Sequence, residues 1–342
     1  MSGEVRLGAV GPLGEMLDTR RYTVDAHLNP EAAAQLVESY VDELTRDGVV
    51  DRIEAVGAGA PGATQIETGL IHWAPALGWR DVAFGPMLEQ ILGLPAVIDN
   101  DVNLALLAEA RKGSAVGCRE VLLVSFADGM GGALWLDGSI YRGRGAAGEV
   151  GYMVAGASSR GLSYRSFGWA EANVHDLLER ECRRRGIRTD ESELRSARLA
   201  SDLAGGGRTM RLSADAKEEM LKLVVSLVAS ACALLDVEAV ILRGWIKLVG
   251  TSFLGEMRRR LQKLLADPPR ILTLSAINDE AVLLGAAFAA QDTLHWPPRT
   301  HVDAEERVVG ADKVKRRALD KEPSAPASKL RLTDRESPAS AT

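Results

Sequence analysis

The sequence is poor in cysteine, in long apolar runs and in excess positive charge. Its three cysteines, Cys118, Cys182 and Cys232, are scattered without a Cys-x-x-Cys spacing. That excludes a disulfide scaffold and a cysteine-rich zinc site, and it fits a reducing cytoplasm. No stretch approaches 18 apolar residues, so no membrane span is expected. The opening residues MSGEVRLGAVG lack a basic stretch ahead of an apolar one, so they do not read as a signal peptide. Lys and Arg number 41 against 47 Asp and Glu, a net charge of −6. That balance argues against a whole-chain nucleic-acid binder, although it leaves room for a local basic patch. Aromatic residues make up only 5%.

Hydrophobic residues nevertheless reach 46%, an ordinary share for a folded domain. The length of 342 residues exceeds the roughly 250–300 at which one core stops growing, so two lobes are expected. Residues 297–342 are rich in charge, Pro, Ser and Ala and hold no aromatic residue; they read as a disordered tail. Ahead of it, strand and helix patterns alternate. Residues 4–10 and 16–25 read as a hairpin closed by the turn at Gly11-Pro12-Leu13-Gly14. Asn29 is placed to cap a helix over 30–47, with Pro30 at its first position and Gly48 at its end. Strands are predicted at 53–58, 95–98, 121–126, 132–136, 239–242 and 271–274. Helices are predicted at 83–92, 102–112, 169–185, 214–235, 251–266 and 278–292. Hairpins mixed with β-α-β units give an α/β protein with mixed sheets.

Four stretches carry possible chemistry. Asp99-Asn100-Asp101 follows an apolar strand and opens a helix, where ligands of α/β sheets collect. The cluster suits hydroxyl recognition or a general base; equally, a helix needs an N-cap and Asp or Asn supplies one. Asp128-Gly129-Met130-Gly131-Gly132 joins two strands and offers backbone N–H groups to an anion, or is a glycine-rich hairpin turn. Asp128 puts a carboxylate where a phosphate would sit. Glu149, among small residues in Gly145–Gly151, either hydrogen-bonds a polyol or caps a turn. Arg243-Gly244-Trp245 follows a buried strand with large side chains where a nucleotide base wants small ones. The arginines at 183–185, with Arg188, read as a solvated face complementing a helix end.

Read together, the chain resembles the ROK family of repressors, unassigned reading frames and sugar kinases, collinearly from about residue 4 to 294. The resemblance is carried by Gly59-Ala-Pro-Gly62, Ala74-Pro-Ala-Leu-Gly-Trp79, Leu94-Pro-Ala-Val-Ile-Asp-Asn-Asp-Val-Asn103 with Leu106–Glu109, and Asp128–Gly132. It continues through Leu136-Asp-Gly138, Arg142–Gly151 and Glu280–Ala289. It implies an actin-like, ribonuclease-H-like fold with mixed sheets and an interlobe cleft where sugar and ATP meet, in a homodimer. The lobes would be 1–103, completed by helix 278–294, and 104–277.

Carried over residue by residue, the resemblance makes Asp101 the base that takes the sugar hydroxyl proton. Gly62, Asn100, Glu149, Tyr152 and Glu171 become the sugar-binding positions. Tyr152 stands where the family has a zinc-binding histidine, Ala76 where it has a sugar-contacting asparagine. The zinc cysteines align with Leu162–Trp169, none of which is a cysteine, so no zinc is expected. Asp128, Gly129, Gly131, Gly132 and Gly244 fall on a degenerate phosphate and nucleotide site. The family's first phosphate loop lands on Met1-Ser2-Gly3, without its aspartate or the strand before it.

The favoured expectation is therefore a sugar-sensing protein of the transcriptional-regulator branch, without kinase activity and with no cofactor. Its small-molecule partner is a sugar or sugar derivative; DNA would be a partner only through a helix-turn-helix missing from this chain, and a membrane is not one. The alternatives are an ATP- and Mg-dependent sugar kinase with Asp101 as base, and a non-catalytic assembly protein.

Overall fold

The computed structural model describes residues 2–25, 28–154, 169–187, 196–277 and 280–294. The tail at 297–342, most of the stretch aligned with zinc ligands, and Arg188 lie outside them. Residues 1–297 form one compact unit.

The chain opens with a hairpin of β1 (Ser2–Val10) and β2 (Met16–Asp25), pairing Val5 with Tyr22 and Leu7 with Arg20. Gly14 donates its N–H to the Gly11 carbonyl and closes the turn. Helix α1 (Pro30–Arg46) starts where its cap dictates: the Asn29 side chain accepts from the Glu31 N–H at 2.8 Å, and proline's missing donor costs nothing at the first position. Strand β3 (Val56–Ala60) begins three residues later than the apolar pattern from 53 predicts. Its parallel pairing starts only at Val56, whose N–H reaches the Pro95 carbonyl. A short antiparallel meander follows: β4 (Ala63–Gln65), β5 (Leu70–Ala74) and β6 (Trp79–Val82). Sequence patterning misses it because strands of three to five residues are too short to show a period. Helix α2 (Phe84–Leu92) leads to β7 (Ala96–Asn100), and α3 (Asp101–Lys112) starts directly at its end.

The second half is built on β8 (Val121–Phe126), β9 (Met130–Leu136) and β10 (Ser139–Tyr141). Helices α4 (Ala170–Arg184), α5 (Ser196–Ala204) and α6 (Ala214–Leu235) come next. They are followed by β11 (Ala239–Gly244), α7 (Thr251–Leu264), β12 (Ile271–Leu274) and α8 (Ala281–Leu294). The strands form one five-stranded sheet in the order β10-β9-β8-β11-β12, with β8 antiparallel to β9 and parallel to β11. One face, through Leu122, Val124 and Leu242, packs on α4, α6 and α7. The other, through Val121, Leu123 and Ile241, packs on Leu106 of α3. Arg183 and Arg184 close α4 by pairing with Glu179 and Glu181 of the same helix.

Among the described residues the first half has no such continuous sheet: there β1 pairs only with β2, and β3 only with β7, in parallel. Helix α8 covers one face of β3 so closely that a Cβ at Gly57 would lie 2.0 Å from the Ala286 carbonyl oxygen. Helices α1 and α2 cover the other face through Ala34, Phe84 and Leu88. The buried carboxylate of Glu109 ties the end of α3 to the segment before α8, accepting from Ser114 N–H at 2.6 Å, from Ile277 N–H at 3.0 Å and from the Ser275 hydroxyl. Among the described residues no helix is long and apolar enough to cross a membrane.

Candidate functional site

The strand–helix junction at 99–103 resolves the competition between capping and chemistry by dividing the labour. Asn100 is the cap of α3: its carbonyl oxygen accepts from Val102 N–H at 2.9 Å and Asn103 N–H at 3.3 Å. Its amide donates to the Gly62 carbonyl at 3.0 Å, which fixes the turn after β3. Gly62 itself has a φ of +99°, and a Cβ there would meet the Trp73 carbonyl at 2.1 Å, so only glycine fits. Asp101, whose Oδ1 also accepts from the Val102 N–H at 3.0 Å and so shares in the cap, lines a cavity of about 1720 Å3 together with Asp128, Arg243 and Gly244. Burial raises the Asp101 pKa, against the opposing pull of Arg243 and the Val102 N–H.

Two further carboxylates approach from other elements. Glu149 precedes a 3-10 turn at Val150–Tyr152, and Glu171 sits in the first turn of α4. The Glu149 side chain is open on its outer side, yet the surrounding protein raises its pKa, and Glu171 and Asp101 raise it further. Tyr152 responds to the same surroundings: burial, then Glu149 and Glu171, raise its hydroxyl pKa. Its ring meets Trp169 edge-on at 4.7 Å. Glu171 accepts from the Met130 N–H at 3.1 Å and lies 3.3 Å from where a Gly129 Cβ would stand. Asn100, Gly131, Gly132 and Glu149 together surround a cavity of about 20 Å3, the room of one water. Of the sequence-read sugar positions, Glu149 thus has Glu171 and Asp101 as electrostatic neighbours and Tyr152 has Glu149 and Glu171, while Asp101 lines the large cavity and Asn100 and Glu149 the small one.

The phosphate side is arranged differently. Asp128 stands exposed at the tip of the β8–β9 turn. One N–H of that turn, at Met130, is taken by Glu171, and another, at Ala127, by the Gly129 carbonyl. Gly244 approaches Phe126 so closely that a Cβ would lie 1.9 Å from its carbonyl oxygen. Trp245, read from sequence as a large side chain where a nucleotide base wants a small one, lines the large cavity beside Arg243 and Gly244. It is only 7% exposed, packs edge-on against Phe126 at 5.3 Å and donates its indole N–H to the Ala127 carbonyl at 2.9 Å. Arg243, not Trp245, is the large residue that Asp101 senses.

Asp99, grouped from sequence with Asn100 and Asp101 as possible chemistry, is held instead in a buried ion pair that sequence reasoning did not foresee. It is 1% exposed, and its Oδ2 accepts from Arg142 Nε at 2.9 Å and Nη2 at 2.7 Å. Its Oδ1 accepts from Asn103 Nδ2 at 3.0 Å and from the Asn100 N–H at 2.7 Å. The pair clasps the β7–α3 junction to the segment after β10. The signal was present: an aspartate inside an apolar strand needs a charged partner.

Comparison with known proteins places the chain among relatives of two kinds. A glucokinase of Streptomyces coelicolor is 25% identical over 311 residues, covering 84% of this chain and 95% of that protein. A xylose repressor of Caldicellulosiruptor bescii is 26% identical over 260 residues, 72% of this chain and 64% of that protein. The crystal structure of a ROK hexokinase from Thermus thermophilus superposes with a TM-score of 0.67 at 26% identity, over 85% of this chain and 96% of that one. The fold is thus the actin-like fold of the ROK sugar kinases. The ROK family signature matches residues 3–293, and the chain belongs to the ROK family.

Proposed function

We propose that the cleft binds a sugar and that Asp101 is the base for its phosphorylation by ATP. The observation that carries this reading is the neighbourhood of three carboxylates, in which Glu149 feels the charges of both Glu171 and Asp101 and burial raises the pKa of Glu149 and Asp101. Carboxylates accept several hydroxyl protons at once, as a polyol requires. A base pKa lifted towards neutrality suits proton abstraction. The Asp101 carboxylate takes the proton of the attacking hydroxyl as the oxygen–phosphorus bond forms and the bond to ADP breaks; solvent then removes the proton. In this reading, residues 1–103 and 104–277 act as lobes that close on the sugar. The glucokinase and hexokinase relatives weigh the same way, against the expectation of a protein without turnover.

A coupled assay of ADP release, with glucose and xylose as first substrates, tests it. Asp101→Asn should lower kcat by about 10²–10⁴-fold with little change in sugar KM. A second reading, a sugar sensor without turnover, is supported by the phosphate side: Asp128 is acidic, and the Met130 N–H is already engaged by Glu171. The xylose repressor relative fits that reading. Calorimetric sugar binding without ADP release above the Asp101→Asn background would decide for the sensor.

A further inference from the structure

The two carboxylates that accompany Asp101 stand on separate pieces of chain, Glu149 ahead of the Val150–Tyr152 turn and Glu171 in the first turn of α4. What fixes one relative to the other lies behind them. Trp169, at the cap position of α4, has no acceptor oxygen in its side chain, so the orphan N–H groups of the first turn need partners elsewhere. The Ala170 N–H finds the Met153 carbonyl at 2.8 Å, and Val154 and Trp169 form an antiparallel β-bridge. At the same junction the Tyr152 ring meets Trp169 edge-on, with ring centres 4.7 Å apart. Edge-to-face pairs at this distance attract beyond the area they bury.

Turn and helix are also fitted to each other on the carboxylate side. A Cβ at Gly151 would lie 2.9 Å from Glu171 Oε2 and 2.4 Å from the Met130 carbonyl oxygen, so only glycine lets the turn come this close. Glu171 Oε2 accepts from the Met130 N–H at 3.1 Å, which ties α4 to the start of β9. Like charges at such range repel, and they spread apart unless the backbone behind them is fixed. The repulsion is felt here: Glu171 and Asp101 raise the Glu149 pKa, and Glu149 and Glu171 raise that of the Tyr152 hydroxyl. The turn is too short to resist it alone, with Tyr152 N–H reaching Glu149 at 3.2 Å and Met153 N–H reaching Val150 at 3.0 Å. Its restraint comes from the Met153–Ala170 hydrogen bond and the two rings.

We propose that Tyr152 and Trp169 are positioning residues: their aromatic contact is a latch that locks the Val150–Tyr152 turn to the start of α4 and so sets the spacing of Glu149 and Glu171. The purpose of that spacing rests on the sugar reading given above. Two carboxylates held at one separation accept protons from neighbouring hydroxyls of one ring, and a site loosened behind its ligand contacts loses that match. Trp169 acts on Glu149 only through Tyr152 and through the backbone at Met153 and Ala170. Recognition of the polyol therefore depends on a contact between two rings at the start of α4, where most helices carry a capping side chain.

Carboxyl-carbon NMR of the full chain without ligand, with Glu149 assigned through Glu149→Gln, reports the spacing independently of any sugar. The groups acting on Glu149 are Glu171 of α4 and Asp101 of α3, both adding to the effect of burial, with the Tyr152 hydroxyl on its own turn. Separation from Glu171 and entry of water both act downward, so Trp169→Ala should move the Glu149 titration towards the ordinary carboxylate range. Trp169→Phe keeps an edge-on ring and should leave the titration in place. Glucose affinity by calorimetry should fall about tenfold or more in Trp169→Ala and stay within about threefold of wild type in Trp169→Phe. If Trp169→Ala does not fold, Tyr152→Ala removes the same contact from a ring that is 42% exposed. An unmoved Glu149 titration in Trp169→Ala, the same movement in Trp169→Phe, or unchanged glucose affinity in Trp169→Ala beside a wild type that binds glucose overturns the latch. A wild type that binds neither glucose nor xylose, with the titrations as expected, supports the latch and sinks the sugar reading instead.

Discussion

The two halves of this chain solve the same packing problem to different degrees. In the second, β8 is buried at every residue and β11 at its first four, between helices on both faces. In the first, β7 is buried from Ala96 to Asp99, but its neighbour β3 is only partly buried over Val56–Ala58, and so are Val5, Leu7 and Val10 of β1. Helices cover both regions, so helix cover is not what differs. The difference is one strand neighbour, and it shows that burial of an apolar strand depends on its hydrogen-bonded partners as much as on the layers above and below.

Truncation should expose that contrast most strongly. Leu122→Ala removes a fully buried side chain from the closed sheet and should cost about 3–5 kcal/mol in urea denaturation. Leu7→Ala, in the half-buried β1, should cost about 1 kcal/mol or less, because part of its surface already faces the cavity. Equal losses would mean that the two halves are equally packed in solution and would break the comparison.

The next effect concerns the clasp that belongs to both halves. Asp99→Ala removes a buried carboxylate and leaves Arg142 without its partner, so it should destabilise the protein by about 2–4 kcal/mol. Arg142 is 28% exposed, which keeps the loss below that of a fully buried pair. A double-mutant cycle with Arg142→Ala should return a coupling of about 1–3 kcal/mol. A coupling near zero would mean that the halves are held together elsewhere, with Glu109 the next place to look.

Much of this architecture was legible in the sequence, and the parts that were not have physical reasons. The hairpin, the capped helix α1 and the strands of the five-stranded sheet follow from period, caps and turns: Asn29 and Pro30 each act where their chemistry requires. The meander of β4–β6 was illegible because its strands are short and partly exposed, with Trp73 45% exposed on β5. The start of β3 was misplaced because Ile53 is apolar without belonging to a strand; only the partner at Pro95 decides it. In the site, Asp101, Glu149 and Glu171 could be singled out by residue type and family resemblance. The packing of Trp245 on Phe126 could not, because a large side chain after a strand faces either way until its partner is known.

Smaller effects separate the carboxylates of the two regions by the sign of their pKa shifts. Glu181, in the second half, is pushed up by burial, but hydrogen bonds from Arg184 and Ser213 outweigh that and bring it down to about 2. Its contribution to stability is therefore present above the unfolded value of about 4.3 and is lost as pH falls towards 2. Asp101 is shifted the other way by burial. The folded state then holds a proton that the unfolded state, with a value near about 3.9, has released, so stability falls as pH rises through that window. Asp101→Asn should accordingly raise Tm at pH 7 while it impairs sugar chemistry. A lower Tm for Asp101→Asn would show that Arg243 compensates the charge fully and that Asp101 is a structural residue.

The smallest expected contrast lies in the caps. Ser213 accepts from the Ala216 N–H at 3.1 Å, while its own hydroxyl and N–H are both held by Glu181. Ser213→Ala therefore removes a cap and loosens the α4–α6 contact together, and should cost about 1–2 kcal/mol. Asn29 caps α1 through one exposed hydrogen bond to Glu31 N–H, and Asn29→Ala should cost about 0.5–1 kcal/mol. Helix propensity cannot produce this difference, since both caps act on the same kind of orphan donor. It comes from what stands behind the cap: a buried carboxylate joining two helices in the closed half, solvent in the open one.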